Sequence, residues 1–126
     1  MFNIKEMRLL MGIAVILMTF SIGLMGSTPL LRFPDVHEDN VVFVSGEDIW
    51  IAPVKGGKAT RLTMNDGSER FPKFSPDGKM IAFSGEYDGN VDVYVMKSNG
   101  GNIRRVTYHP GREQVVGWHP KKNKII

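Results

Sequence analysis

The stretch FPKFSPDGKMIAFSGEYDGNVDVYVMKSNGGNIRRVT, residues 71–107, alternates short apolar runs with turn formers and decides the fold. Ser75-Pro76-Asp77-Gly78 combines a proline of fixed φ, an aspartate able to bond its own backbone and a glycine free to adopt positive φ. Asp88-Gly89-Asn90 and Asn99-Gly100-Gly101 repeat that chemistry at intervals of about ten residues, a hairpin spacing. Between these turns lie Arg70–Phe74, Met80–Ser84, Val93–Met96 and Ile103–Thr107, none with helical periodicity. Met80-Ile81-Ala82-Phe83 is apolar at successive positions, as a strand covered on both faces requires. Residues 70–107 are therefore expected to form one four-stranded antiparallel meander with turns at 76–78, 88–90 and 99–101. No helix is expected between residues 41 and 120.

Moving outward, the same pattern recurs. Asp48-Ile49-Trp50-Ile51 returns as Asp92-Val93-Tyr94-Val95, 44 positions on. The same offset relates Gly56-Gly57 to Gly100-Gly101, Arg61-Leu62-Thr63 to Arg105-Val106-Thr107, and Phe74-Ser75-Pro76 to Trp118-His119-Pro120. Val44-Ser45-Gly46 matches Phe83-Ser84-Gly85 at an offset of 39, which places an insertion of five residues in the polar turn Tyr87–Val91. Further strands are expected at Leu30–Phe33, Val41–Val44, Ile49–Val54, Ala59–Thr63 and Gln114–Trp118. A period near 40 with four strands per copy is that of a β-propeller blade. On this count residues 41–63 give three strands of one blade, 70–107 a second blade, and 114–118 the first strand of a third. Leu30–Phe33 is expected as an outlying strand that helps close the ring. A closed ring needs at least four blades. The fold expected is thus all-β, an incomplete propeller over residues 28–126, whose open apolar faces should make an isolated piece associate.

Residues 1–27 differ in kind. Lys5 and Arg8 precede an uncharged run from Leu9 to Gly26, LLMGIAVILMTFSIGLMG. Eighteen apolar or small residues stand between a signal peptide and a spanning helix of about 20. Leu24 and Met25 are poor residues for cleavage before Gly26 or Ser27, so the segment is read as a helical membrane anchor or a poorly cleaved signal. Export follows from either, with the propeller periplasmic or anchored facing the exterior.

Of the 126 residues, 16 are Lys or Arg and 13 Asp or Glu, giving a net charge of +3. That excess is scattered and forms no concentrated nucleic-acid footprint. The absence of cysteine excludes disulfides, thiolate metal sites and a thiol nucleophile. His37, His109 and His119 lack metal-ligand spacing, and His37 beside Asp35, Glu38 and Asp39 reads as a solvated turn between strands. Ser45, Ser75, Ser84 and Ser98 fall at repeat or turn positions, with no G-x-S-x-G elbow. Gly56-Gly57 and Gly100-Gly101 lack the Lys-Ser/Thr of a phosphate loop. Trp50, Phe83, Tyr94 and Trp118 are expected to pack between blades, and Arg104-Arg105 to lie on a solvated outer strand. No residue is assigned as catalytic, cofactor-binding or metal-binding, and no cofactor is expected.

Residues 71–107 resemble the repeat shared by TolB-like and tricorn-type propellers. TPLLRFPDVHEDNVVFVSGEDIWIAPVKGG, residues 28–57, looks like the opening of the first propeller of the tricorn protease family. The resemblance covers roughly residues 28–120. It implies a six-bladed propeller followed by a seven-bladed one, then a PDZ-like module between core domains that hold a nucleophilic serine. None of those catalytic residues maps onto this sequence. What it implies here is an N-terminal propeller fragment that gates or channels peptides for an exported serine peptidase. The implied partners are peptide or protein substrates, the remaining blades and catalytic domains, and further copies in an oligomer. Two alternatives use the same repeat: a non-catalytic TolB-like periplasmic protein-binding propeller, and the propeller of a prolyl-oligopeptidase-like or amidohydrolase enzyme.

Overall fold

A computed structural model describes residues 30–126. Two four-stranded antiparallel sheets follow one another along the chain, each a meander in sequence order. The first comprises β1 (Arg32–His37), β2 (Asn40–Ser45), β3 (Asp48–Pro53) and β4 (Thr60–Arg61). The second comprises β5 (Ser68–Phe74), β6 (Met80–Glu86), β7 (Val91–Lys97) and β8 (Arg104–Arg105). Residues 70–107 thus form the expected meander, and no helix occurs among the described residues. The expected helix at Leu9–Gly26 lies outside them.

The turns work as their chemistry requires. Ser75 Oγ donates to Asp77 Oδ1 (2.6 Å) and accepts from the Met80 amide (3.0 Å), clamping the β5–β6 hairpin. Gly78 completes it at φ 67°, where a Cβ would overlap the His37 ring of the first sheet. Here glycine is required twice, by backbone conformation and by the neighbouring sheet.

Several sequence expectations are corrected. The first sheet has four strands rather than three, because β1 runs through Pro34, Asp35 and His37 and pairs with β2. Only Glu38 and Asp39 form the turn. Leu30–Phe33 is therefore no separate closing strand. Proline and two charges make this segment read as a loop, yet proline is tolerated at a bulge, and the β1–β2 register shifts between Arg32 and Asp35. The β5–β6 pairing shifts likewise between Arg70 and Lys73, around Pro72. Phe33 and Phe71, each just before its proline, both have φ of 54°. Their rings meet across the two sheets at 4.3 Å between centroids. Left-handed backbone at a bulky residue costs about 1–3 kcal/mol, and the shared ring contact offsets part of that strain.

The offset of 39 is also corrected. Phe43 opposes Trp50 as Phe83 opposes Tyr94, and Val44 opposes Ile49 as Ser84 opposes Val93. The structural offset on β2 and β6 is therefore 40, and Gly85 takes the place of Ser45. Side chains alternate between faces with a period of two, so the 39-residue match would turn every side chain of β6 to the wrong face. The insertion is one of four residues: Gly46-Glu47 make a two-residue turn, whereas β6 and β7 run on to Glu86 and Val91 around the 87–90 turn.

Finally, Gln114–Trp118 forms no regular strand. It carries an isolated bridge from Trp118 to Ile125, in the register of Phe74 with Ile81. The His119 amide donates to the Lys124 carbonyl (2.8 Å) as the Ser75 amide does to Met80 (2.8 Å). Residues 118–126 thus trace the first hairpin of a third copy.

The core lies between the sheets. Val42, Val44 and Ile49 meet Phe74, Ile81, Phe83, Tyr94 and Met96, with six of these eight wholly buried. Each such side chain is worth about 1.5–3 kcal/mol of burial, against about 1 kcal/mol for a typical hydrogen bond. Apolar packing holds the two blades together, and polar bonds set their register.

Candidate functional site

Three polar assemblies mark the sheets and the seam between them. The first repeats. The Ile49 amide donates to Thr63 Oγ1 (2.8 Å) and the Val93 amide to Thr107 Oγ1 (2.9 Å). Arg61 and Arg105 donate from Nε to the carbonyls of Thr63 and Thr107, both at 2.8 Å. Their guanidinium groups pair with Asp48 (2.7 Å) and Asp92 (2.6 Å). The repeated Asp and Arg-x-Thr residues are thus a latch closing the fourth strand onto the third. Because Thr63 and Thr107 place side-chain oxygens where ladder carbonyls would stand, β4 and β8 span two residues each and not the five expected.

The second assembly spans the first strands of the two sheets. Asp35 Oδ2 accepts from the Phe74 amide (2.8 Å), and Oδ1 accepts from Lys73 Nζ (3.3 Å). His37 Nε2 lies 3.2 Å from the Pro76 carbonyl, which accepts from it. Asp35 and Lys73 are 26% and 31% exposed, so this pair is reachable from solvent.

The third is buried. Glu69, 1% exposed, accepts from the Thr63 hydroxyl (2.9 Å) at Oε2 and from the Tyr87 phenol (2.7 Å) at Oε1. Burial raises the Glu69 carboxyl above its ordinary value, although both hydroxyls oppose that shift. Burial, with the carboxylate adding to it, pushes the Tyr87 phenol far up. Sequence reading passed over Glu69; its signal is Glu113, 44 positions on.

The candidate residues are dispersed in structural roles. His109 Nδ1 accepts from the Gly111 amide (3.0 Å) and His119 Nδ1 from the Lys121 amide (3.1 Å), each closing its own turn. Ser84 Oγ accepts from the Val115 amide (2.9 Å), and the Ser98 amide donates to the Lys79 carbonyl (3.0 Å). The Trp50 indole donates to the Ser45 carbonyl (3.1 Å). Phe83 and Tyr94 pack in the seam, and Trp118 packs on Ala82, Val93 and Val95, on the opposite face of the second sheet. Arg105 is engaged by Asp92 and stands 4.7 Å over the Tyr108 ring, whereas Arg104 is exposed. Among the described residues no group of three His, Asp or Glu side chains is placed to hold a metal.

With this geometry in hand, comparison with known proteins is direct. The family model for the tricorn protease N-terminal β-propeller domain matches residues 28–126. Tricorn protease homolog 1 of Streptomyces coelicolor is 38% identical over 89 residues, 70% of this chain and 8% of that protein. Tricorn protease of Thermoplasma acidophilum is 33% identical over 107 residues, 77% of this chain and 10% of that protein. The crystal structure of the tricorn protease superposes with a TM-score of 0.68 at 29% identity, covering 77% of this chain and 10% of the other. The chain therefore spans about a tenth or less of the length of these relatives.

Proposed function

The chain belongs to the tricorn protease N-terminal β-propeller family, and from that membership we propose that it forms the opening blades of a propeller that admits peptides to a serine peptidase. The observation that carries this reading is the family match over residues 28–126, on two sheets packed blade to blade. The first strand of a blade lines the central channel of a propeller. β1 and β5 supply two such strands, and the partly exposed Asp35–Lys73 pair gives that rim both charge signs for a passing peptide backbone. Chemistry belongs elsewhere on this reading, since the described histidines and serines serve turns, strands and seams. The test is to incubate the chain with a mixed peptide substrate and follow both binding and cleavage. Binding without turnover is expected. Turnover that survives purification and disappears when one of Ser45, Ser75, Ser84 or Ser98 is replaced by alanine would overturn the reading.

The propeller is exported on the same proposal. Lys5 and Arg8 before the uncharged run Leu9–Gly26 support it, because positive flanks stay on the cytoplasmic side. Fusing residues 1–40 to a reporter active only outside the cytoplasm decides the matter. Activity in the membrane fraction fits an anchor, soluble external activity fits a cleaved signal, and silence outside with folding inside refutes export.

A further inference from the structure

The outer face of the second sheet repeats, 40 or 44 residues on, the face by which the first sheet holds its neighbour. Ala82, Val93, Val95 and Val106 stand where Val42, Ile49, Ile51 and Leu62 stand. Val115, Trp118 and Ile125 cover part of this face. Beside them runs an open groove of about 680 Å³, lined by Val93, Val95, Val106, Thr107, Glu113 and Trp118 among others. At the first seam that space is filled by Phe83, Tyr94 and Met96 of the next sheet, with Tyr87 packed alongside.

Glu113 stands where Glu69 stands. The Glu113 amide donates to the Val91 carbonyl (2.8 Å) as the Glu69 amide does to Glu47 (2.9 Å), again 44 residues apart. Thr107 holds the Val93 amide as Thr63 holds that of Ile49. The difference lies in the carboxylates. Glu69 Oε2 accepts from the Thr63 hydroxyl and Oε1 from the Tyr87 phenol, whereas Glu113 receives neither the Thr107 hydroxyl nor a phenol and its Oε2 is buried without a partner. A buried carboxylate oxygen left unsatisfied loses its solvation with nothing in return, so such positions are ordinarily filled.

We propose that Glu113 is the docking acceptor for a tyrosine phenol presented by a third blade of the same repeat, packed on the second. The occupant follows from continuity with the first seam and from residues 118–126, which already run in the register of the β5–β6 hairpin. This rests on the propeller architecture and not on any role in peptide handling, so peptide binding can fail without touching it.

The register supplies its own probe. Ile126 occupies the place of Ala82, so a second copy of residues 83–107 fused after Ile126 continues the repeat in frame and brings a copy of Tyr87 to the Glu113 position. In that extended chain, Glu113→Gln and replacement of the copied tyrosine by phenylalanine should be coupled by roughly fivefold or more in the unfolding equilibrium constant. Glu69→Gln with Tyr87→Phe should show coupling of the same sign and similar size. Independent effects at Glu113 in a folded extended chain, alongside coupling at Glu69, overturn the proposal. If the extended chain does not fold, a synthetic hairpin of residues 83–97 is added to the original chain and Trp118 fluorescence is followed, with Trp50→Phe to isolate the signal. Tighter binding than its phenylalanine analogue by about fivefold, lost in Glu113→Gln, supports the phenol contact. Equal binding of the two peptides, or none, refutes it.

Discussion

The two sheets share one local design and differ in what covers them. Both close their fourth strand with the same Asp and Arg-x-Thr latch at nearly identical distances. Yet Leu62 of the first sheet is half-buried against its neighbour, while Val106, its counterpart in the second, is 37% exposed and the nearby Val116 is 71% exposed. The comparison separates two contributions usually merged in repeat proteins. Strand pairing and latches belong to each blade, whereas most of the apolar stabilisation belongs to the seam. A blade is well formed by its own sequence and held by its neighbour.

The largest effects should therefore lie at the seam. Phe83→Ala removes a wholly buried ring packed against the first sheet and should cost about 3–5 kcal/mol in denaturant unfolding. Val106→Ala, on the outer face, should cost under about 1 kcal/mol. Equal losses at the two positions would break the distinction between closed and open faces. Next in size is Tyr87→Phe, which strips Glu69 of a buried donor and should cost about 1–3 kcal/mol.

The same carboxylate gives a pH signature. Burial raises the Glu69 pKa above its ordinary 4.5, so the folded state favours the protonated acid. Its contribution to stability is fully present below the unfolded value and is lost as pH rises through the folded one. Chemical denaturation at pH values from below 4.5 upward should show that loss, and Glu69→Gln should flatten it. A slope unchanged in the variant would assign the dependence to another group. The smallest effect belongs to Lys55→Ala, since the Lys55–Asp39 pair spans 3.9 Å with both side chains more than four-fifths exposed. Under about 0.5 kcal/mol is expected there.

How far the sequence could be read follows the same division. The hairpin turns and the repeat are legible because their chemistry is local: Pro-Asp-Gly and Gly-Gly punctuate the strands, and Arg-x-Thr recurs intact. The latch is not, since Arg105 reads as a solvated charge until Asp92 and the Thr107 carbonyl are seen to hold it. β1 is hard to read because Pro34, Asp35 and His37 imitate a loop, and its one repeat signal is short: Phe33-Pro34 returning as Phe71-Pro72, 38 residues on. The letter match of Val44-Ser45-Gly46 to Phe83-Ser84-Gly85 is one residue out of register, because side-chain alternation and not residue identity sets which face a strand residue occupies. Glu69 and Glu113 were invisible as a pair, since a lone glutamate means little until its buried partners are in place.

The claim on which the rest depends is that the two sheets pack as adjacent blades, first strand beside first strand. Nuclear Overhauser contacts between aromatic rings test it most directly. Phe33 should show cross-peaks to Phe71, 4.3 Å away between centroids, and His37 to Phe74, 5.8 Å away. The Phe74 amide, bonded to Asp35, should exchange slowly and lose that protection in Asp35→Ala. Intact hairpin contacts within each sheet, with neither ring pair in contact and a rapidly exchanging Phe74 amide, would contradict the account.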